Sequence, residues 1–286
     1  MIQHRLRLVS TASQPPGDEA GPRFRPDPKQ DDMTPSILIE VCANSVASAL
    51  AAQAGGAGRV ELCCALVEGG LTPSPASVEL ARAKLHIDLH VLIRPRGGDF
   101  CYDDLEFKVM LRDIEFCKRS GAGGVVIGIL HSDGSVDMER TNVLVQAARP
   151  MTVTFHRAFD MTADPFRALE DLLASGVERL LTSGQRGSAM QGRELIGELV
   201  RRAAGRLIVM PGAGINEGNV SELIAATGAR EYHLSGQKQV ESRMTYRNPQ
   251  VFMGVPGLPE YEMGVTDEAK IRRVVKAAQT EWRPNS

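Results

Sequence analysis

The chain has 286 residues, 43% of them hydrophobic and 24% charged, with 33 Lys and Arg against 35 Asp and Glu. This composition is typical of a globular protein and excludes a largely disordered chain, and a formal net charge of −2 without a basic block argues against nucleic acid or an acidic membrane as the main partner. The sequence has no charge-free run of about 18 apolar residues, so it predicts no membrane span. Its odd count of five cysteines favours a reducing compartment over a disulfide framework.

The first 36 residues differ in composition from the rest, because they hold six of the 16 prolines and few apolar side chains. We expect residues 1–36 to form a disordered extension, since little burial would offset the entropy of ordering them. The segment lacks the apolar core of a secretory signal. Two interpretations of residues 1–32 stay open: a mitochondrial-type targeting segment, or a stretch preceding a true start at Met33.

From Ile37 onward, short strand-like runs alternate with longer helical runs. The predicted strands are Ile37–Cys42, Arg59–Cys63, Ile87–Arg94, Gly124–Leu130, Met151–His156, Glu178–Thr182, Arg206–Met210 and Arg230–Leu234. The predicted helices are Val46–Ala54, Pro75–Lys84, Leu105–Ser120, Asp137–Ala148, Pro165–Ser175, Glu194–Ala204, Gly218–Thr227 and Asp267–Gln279. Eight such units predict an α/β fold, a (β/α)8 TIM-type barrel over residues 37–282. An open doubly wound sheet is the alternative, but the first strand lacks the glycine-rich turn that it favours.

One irregular segment, Gln237–Val265, separates the last predicted strand from the last helix. Connections of this length usually act as a lid or a contact surface. Its stretch Met244–Gly254 carries Tyr246, Phe252 and Met253, so we expect a homo-oligomer contact there.

Alternate residues of a barrel strand face the lumen, and active sites lie at the C-terminal ends of the strands. The branched residues Ile37, Ile39 and Val41 are expected to pack under the helices, which leaves Glu40 and Cys42 inside. The same alternation places seven chemically active side chains in one cavity at the barrel mouth: Glu40, Cys42, Glu61, Cys63, Arg94, His156 and His233. Buried Glu–Arg pairs that only fill the lumen are the alternative.

Cys42 and Cys63 end adjacent parallel strands, which lie ~4.8 Å apart. Their sulfurs are therefore close enough to bind one soft ion, and thiolates select Cu(I) and Zn²⁺. The alternative is that both pack as small buried hydrophobes. Cys64 is expected to point the other way.

The loops at the same end of the barrel are rich in groups that bind anions. Barrels often hold phosphate with the loops after strands 7 and 8. Gly212 and Gly214 follow strand 7, and Ser235 and Gly236 follow strand 8. Arg94 and Arg96 after strand 3 and Ser183 after strand 6 complete the predicted anion-binding set. Glycines that merely turn the chain are the alternative.

Several long motifs resemble the CutC copper homeostasis family over roughly residues 37–280. They are Glu40–Cys42, Arg59–Cys63, Glu68–Ser74, Ile93–Phe100, Thr154–Asp160, Leu181–Gly184 and Met210–Gly214. The resemblance implies a TIM-type barrel, a cytoplasmic location and a role in copper handling, with candidate Cu(I) ligands at Cys42 and Cys63. Ala213 departs from the expected glycine, which is tolerated unless its φ is positive.

Two functions remain open from the sequence. In the first, Cys42 and Cys63 hold Cu(I), with the thiol pKa values depressed by Arg94 or by the metal. In the second, the protein is an enzyme on a small phosphorylated or carboxylated metabolite. Its general base would be Glu40 or Glu61, its acid His156 or His233, and its anion clamp Arg94, Arg96 and the Gly212–Gly214 loop.

Overall fold

The computed structural model describes residues 37–254, 257 and 259–281. Eight parallel strands form the inner wall: β1 Leu38–Ala43, β2 Arg59–Leu62, β3 Asp88–Leu92, β4 Gly124–Ile127, β5 Thr152–Phe155, β6 Arg179–Thr182, β7 Ile208–Pro211 and β8 Glu231–Leu234. Neighbours in sequence are neighbours in the sheet, and β8 pairs with β1. A parallel bridge between Gly212 and His233 joins β7 to β8 and completes the circle. The predicted TIM-type barrel is confirmed, and the open sheet is wrong.

Within the described residues, eight α-helices surround the strands: α1 Val46–Ala54, α2 Pro75–Lys84, α3 Asp104–Arg119, α4 Met138–Ala148, α5 Pro165–Ser175, α6 Arg193–Ala203, α7 Val220–Thr227 and α8 Glu268–Glu281. Side-chain caps explain several starts. Ser74 and Asp164 cap α2 and α5 immediately before a proline, and Asp103 forms a capping box with Glu106 that starts α3 one residue earlier than predicted.

The strands divide the apolar side chains between two layers, as the alternation predicts. Ile39, Val41 and Leu62 belong to the large core between the strands and the helices. Cys42, Cys63, Leu92 and Val126 form a separate small cluster inside the barrel. Strands β2, β3 and β5 end earlier than predicted at the mouth, so Cys63, Arg94 and His156 already belong to the loops.

The segment predicted to be irregular contains a hairpin, which corrects that expectation. Strand β9, Gln237–Glu241, pairs antiparallel with β10, Glu262–Thr266. The hairpin is tied to the barrel because Asn44 Nδ2 donates to the Gly264 carbonyl at 2.9 Å and the Thr266 amide donates to Ser48 Oγ at 3.2 Å.

Two expectations concern parts of the chain outside the described residues: the extension 1–36, and the barrel's end at residue 282. Among the residues described, no helix combines the length and the apolar character needed to cross a membrane.

Candidate functional site

The two candidate metal-binding cysteines lie side by side inside the barrel. Cys42 lies near the end of β1 and Cys63 directly follows β2, and their Sγ atoms are 3.4 Å apart. Both side chains are buried. Two metal–sulfur bonds of ~2.3 Å span up to about 4.6 Å, so one ion fits between these sulfurs with little movement.

The local environment keeps Cys42 protonated in the absence of a metal. Its hydrogen bond with Cys63, together with burial and the nearby Glu61 carboxylate, raises the pKa of the Cys42 thiol well above its ordinary value. Arg94 is not among the groups that shift the pKa of Cys42, and its guanidinium donates to the carbonyls of Glu68 and Gly70 at 2.7 and 2.8 Å. The sequence offered two groups that could stabilise the thiolate, Arg94 and a bound metal, and of these only the metal remains.

A buried ion network forms the floor beneath the mouth. Arg59 on β2 donates to the carboxylates of Glu40 on β1 and Glu231 on β8. Arg179 on β6 also reaches Glu231, at 2.9 Å. Burial alone would raise the pKa of Glu40, but the Arg59 charge and a hydrogen bond from His233 hold it well below its ordinary value. Glu40 is therefore an ionised anchor for the side chains above it.

Above this floor, His233 stands between two carboxylates. Its Nδ1 is 2.7 Å from Glu40 Oε1 and 3.5 Å from Glu61 Oε2. Burial would lower the pKa of His233, but the charge of Glu61 and the hydrogen bond to Glu40 raise it. Burial raises the pKa of Glu61 to about 7, and its Oε2 has no hydrogen-bond partner. The donor atoms of Glu40, Glu61 and His233 all lie within 4.8 Å of one another.

A cavity of about 460 Å³ opens at this end of the barrel. Five of the seven side chains predicted to share one cavity line it: Cys42, Glu61, Arg94, His156 and His233. Glu40 and Cys63 do not line it, but Glu40 contacts His233 and Cys63 contacts Cys42. Leu66, Leu92, Phe100, Leu181 and Ile215 supply apolar walls. The cavity has the size and the mixed lining of a small-molecule site.

His156 presents an unused hydrogen-bond donor to this cavity. Its Nδ1 accepts the amide of Ala158 at 3.1 Å, which leaves the proton on Nε2, a buried atom without a partner. Burial, with the Arg94 charge, lowers the pKa of His156 to about 3. The His156 ring packs against Phe100, with the ring centroids 5.0 Å apart. A Cβ at residue 128 would come within 2.3 Å of His156 Cε1, so the absence of a side chain at Gly128 leaves room for the His156 ring.

The predicted anion-binding residues are only partly brought together. Gly214 and Ser235 line the cavity, whereas Gly212, Gly236, Ser183 and Arg96 do not. Arg96 is turned outward, with Nε 2.5 Å from Glu106 Oε1. The amide and the hydroxyl of Ser183 both donate to the Asp160 carboxylate.

Sequence reasoning gave no role to two further cavity residues, Arg157 and Asp160. Asp160 accepts from Thr182 Oγ1 at 2.5 Å and from the Gln185 amide at 3.1 Å, and Arg157 Nε is 2.7 Å from Asp160 Oδ2. Both residues belong to the long Thr154–Asp160 motif, which could have pointed to them.

Ala213 stands where the sequence analysis expects a glycine, and alanine is tolerated there only if its φ is negative. Ala213 lines the cavity and adopts a φ of +80°, a conformation that strains a residue with a Cβ.

Comparisons with known proteins agree with this architecture. The model of the CutC family matches residues 37–238. A family protein CutC from Chromobacterium violaceum is 51% identical over 240 residues, 84% of this chain and 97% of that protein. The copper homeostasis protein cutC homolog of Homo sapiens is 48% identical over 237 residues, 82% of this chain and 87% of that protein.

Solved structures give the same result. The crystal structure of a copper homeostasis protein CutC from Streptococcus agalactiae aligns with a TM-score of 0.67 and 33% identity, over 70% of this chain and 98% of that one. A thiamine phosphate pyrophosphorylase from Pyrococcus furiosus aligns with a TM-score of 0.53 over 86% of this chain and 96% of that one, but at 12% identity. That second likeness extends to the fold alone.

Proposed function

The chain belongs to the CutC family, and on that basis we propose that it acts in copper homeostasis in the cytoplasm by binding Cu(I) through Cys42 and Cys63. The observation that supports this proposal is the pair of buried sulfurs 3.4 Å apart. Thiolates prefer Cu(I) to harder cations. Copper is the cargo of this site, and the protein buffers it or passes it on.

The surroundings of the pair suit a soft monovalent ion. Leu92, Val126 and Leu66 pack around the two cysteines, and this apolar shell limits the access of water. Because the pKa of Cys42 is raised, its proton leaves as the copper–sulfur bond forms. Cys42 also lines the open cavity, which gives copper or a copper carrier a route to the pair.

Anaerobic competition against a Cu(I)-specific chelator tests the proposal. We expect the wild type to bind one Cu(I), and the Cys42→Ser/Cys63→Ser variant to bind it about 100-fold more weakly or worse, because both ligands are gone. The matched control is Cys64→Ser/Cys101→Ser, which removes two thiols outside the pair. A double variant of the pair that competes as well as the wild type would contradict the proposal.

A second candidate function is supported by the unpartnered Nε2 of His156 in the same cavity as Glu61. This candidate is an enzyme acting on a small phosphorylated or carboxylated metabolite. Glu61, with a pKa of about 7, is the candidate base, and neutral His156 donates to a substrate oxygen. Glu40 is committed to Arg59 and His233, so its role is to orient His233.

The anion of such a substrate would meet Gly214 and Ser235, because Arg94, Arg96 and Arg157 are engaged by loop carbonyls, by Glu106 and by Asp160. A thermal-shift screen of phosphorylated and carboxylated metabolites tests this candidate. We expect a stabilising compound whose effect is lost in His156→Gln and kept in His86→Gln, a change at an exposed histidine. The absence of any stabilising compound, or a shift retained by His156→Gln, would contradict it.

A further inference from the structure

Glu40, Glu61 and His233 form a second cluster of possible metal ligands beside the cysteine pair. They come from the ends of three adjacent strands, β1, β2 and β8. We propose that Glu40, Glu61 and His233 bind one divalent first-row cation, such as Mn²⁺ or Zn²⁺, at the floor of the cavity. This site is additional to the proposed Cu(I) site and does not depend on it.

The distances between the three donor atoms suit one ion. His233 Nδ1 is 2.7 Å from Glu40 Oε1 and 3.5 Å from Glu61 Oε2, and the set lies within 4.8 Å. Two metal–ligand bonds of ~2.2 Å span up to about 4.4 Å, so a shift of a few tenths of an ångström brings all three atoms onto one centre. Binding replaces the Nδ1–Oε1 hydrogen bond by metal–nitrogen and metal–oxygen bonds, and the proton of that hydrogen bond passes to water.

An unpartnered oxygen supports a ligand at this position. Glu61 is only 4% exposed, and its Oε2 has no hydrogen-bond partner in the part of the chain that the structure describes. Leaving such an oxygen unpaired costs free energy that a bound cation would recover. The same atom is the one that faces His233 Nδ1.

The balance of buried charge also favours a cation. Three carboxylates lie in the floor, those of Glu40, Glu61 and Glu231, and they face two guanidinium groups, those of Arg59 and Arg179. Arg59 and Arg179 both donate to the Glu231 carboxylate, and Arg59 also donates to Glu40 Oε2. Among the described residues no guanidinium contacts Glu61, and its cationic neighbour is His233, at 3.5 Å. Once His233 gives up its proton to bind the metal, a divalent ion would compensate the Glu61 carboxylate.

The donor set separates this site from the copper pair. Carboxylate oxygens suit Mn²⁺ and other hard cations, and imidazole suits Zn²⁺ and Fe²⁺, whereas Cu(I) prefers sulfur. Glu61 and His233 line the cavity, so an ion they hold would keep open positions toward it. Those positions would admit water or an oxygen atom of a small molecule.

The test uses a protein without the copper ligands, Cys42→Ser/Cys63→Ser. Mn²⁺ binding is followed by loss of the free-ion signal in electron paramagnetic resonance, and Zn²⁺ binding by calorimetry. We expect one ion per chain. Adding Glu61→Gln or His233→Asn should weaken binding at least about tenfold, because each removes one of three ligands. Glu79→Gln and His86→Asn, at exposed positions outside the cluster, should leave binding unchanged.

Thermal unfolding of each metal-free variant verifies that it folds. No saturable binding of either ion, or binding unaffected by Glu61→Gln and by His233→Asn, would overturn the proposal and leave an ion-pair network only. Because copper competition is measured on the wild type, failure of the Cu(I) site and failure of this site give separate results.

Discussion

His156 is a buried neutral histidine, and its burial makes stability depend on pH. Its pKa in the folded chain is about 3, below the ordinary 6.5. As the pH falls below 6.5, the unfolded chain takes up a proton at this residue before the folded chain does, so stability is lost between these two values. The wild type should therefore lose about 1.4 kcal/mol per pH unit through His156 alone.

The His156→Gln variant cannot take up this proton, so its unfolding free energy should fall less steeply with decreasing pH. Urea unfolding from about pH 6 to pH 4 measures the difference in slope. His86→Gln, at an exposed position, should keep the wild-type slope. Equal slopes in the wild type and His156→Gln would show that His156 takes up its proton at the same pH in the folded and the unfolded chain, which would contradict a lowered pKa.

Ala213 carries backbone strain that a glycine would remove. Its φ of +80° costs an L-residue roughly 1 kcal/mol, part of which is offset because alanine restricts the unfolded chain. Ala213→Gly should stabilise the protein by about 0.5 kcal/mol, seen as a small rise in Tm. Ala225→Gly, in the interior of α7, should instead destabilise it by about 1 kcal/mol. A loss of stability in Ala213→Gly would contradict this account of the rim.

Residue-level prediction from sequence succeeds where strand alternation alone decides the outcome. Cys42 and Glu61 lie on regular strands, and their inward direction follows from the branched residues next to them. Arg94 and Arg96 follow the end of β3, where alternation no longer applies. Their directions depend on carbonyls of another loop and on Glu106, which no local pattern reveals.

At the scale of elements, Arg59 ties three strands together. Its guanidinium joins β2 to Glu40 on β1 and to Glu231 on β8. Arg59→Met keeps most of the side-chain volume but removes the guanidinium partner of the buried Glu40 and leaves Glu231 paired with Arg179 alone. We expect it to lower the free energy of unfolding by about 3–5 kcal/mol.

Urea unfolding measures this effect, with Arg112→Met on the exposed face of α3 as the control. The pair between Arg112 and Glu115 is solvent-exposed and should contribute no more than about 0.5 kcal/mol. A loss below about 1 kcal/mol in Arg59→Met would show that the floor network stabilises the barrel little.

The eight βα units were predictable because their periodicity and their caps are local features of the sequence. The pairing of β9 with β10 was not, since Gln237-Lys238-Gln239 carries no apolar alternation and its partner lies more than 20 residues further along. The hairpin depends on contacts with Asn44 and Ser48, which are distant in sequence. The sequence therefore predicted the barrel but not the structure that follows its last strand.

At the scale of the whole molecule, the segment after β9 exposes large apolar side chains. Tyr246, Phe252 and Met253 are 73%, 62% and 83% exposed. Such a surface is typical of an interface, and a second copy of this chain is the expected partner. Light scattering should give a mass above that of one chain, and Phe252→Ser/Met253→Ser should reduce it. A wild type that scatters as a monomer would contradict this prediction.

The proposed Cu(I) site between the two sulfurs connects the barrel, the inward cysteines and the family to one function. X-ray absorption at the copper edge of the anaerobically loaded full chain measures the ligands directly. We expect Cu(I) with a sulfur shell in the wild type and in Cys64→Ser/Cys101→Ser, and loss of that shell in Cys42→Ser/Cys63→Ser. Copper bound only by nitrogen and oxygen in the wild type, or a sulfur shell that survives loss of Cys42 and Cys63, would contradict the account.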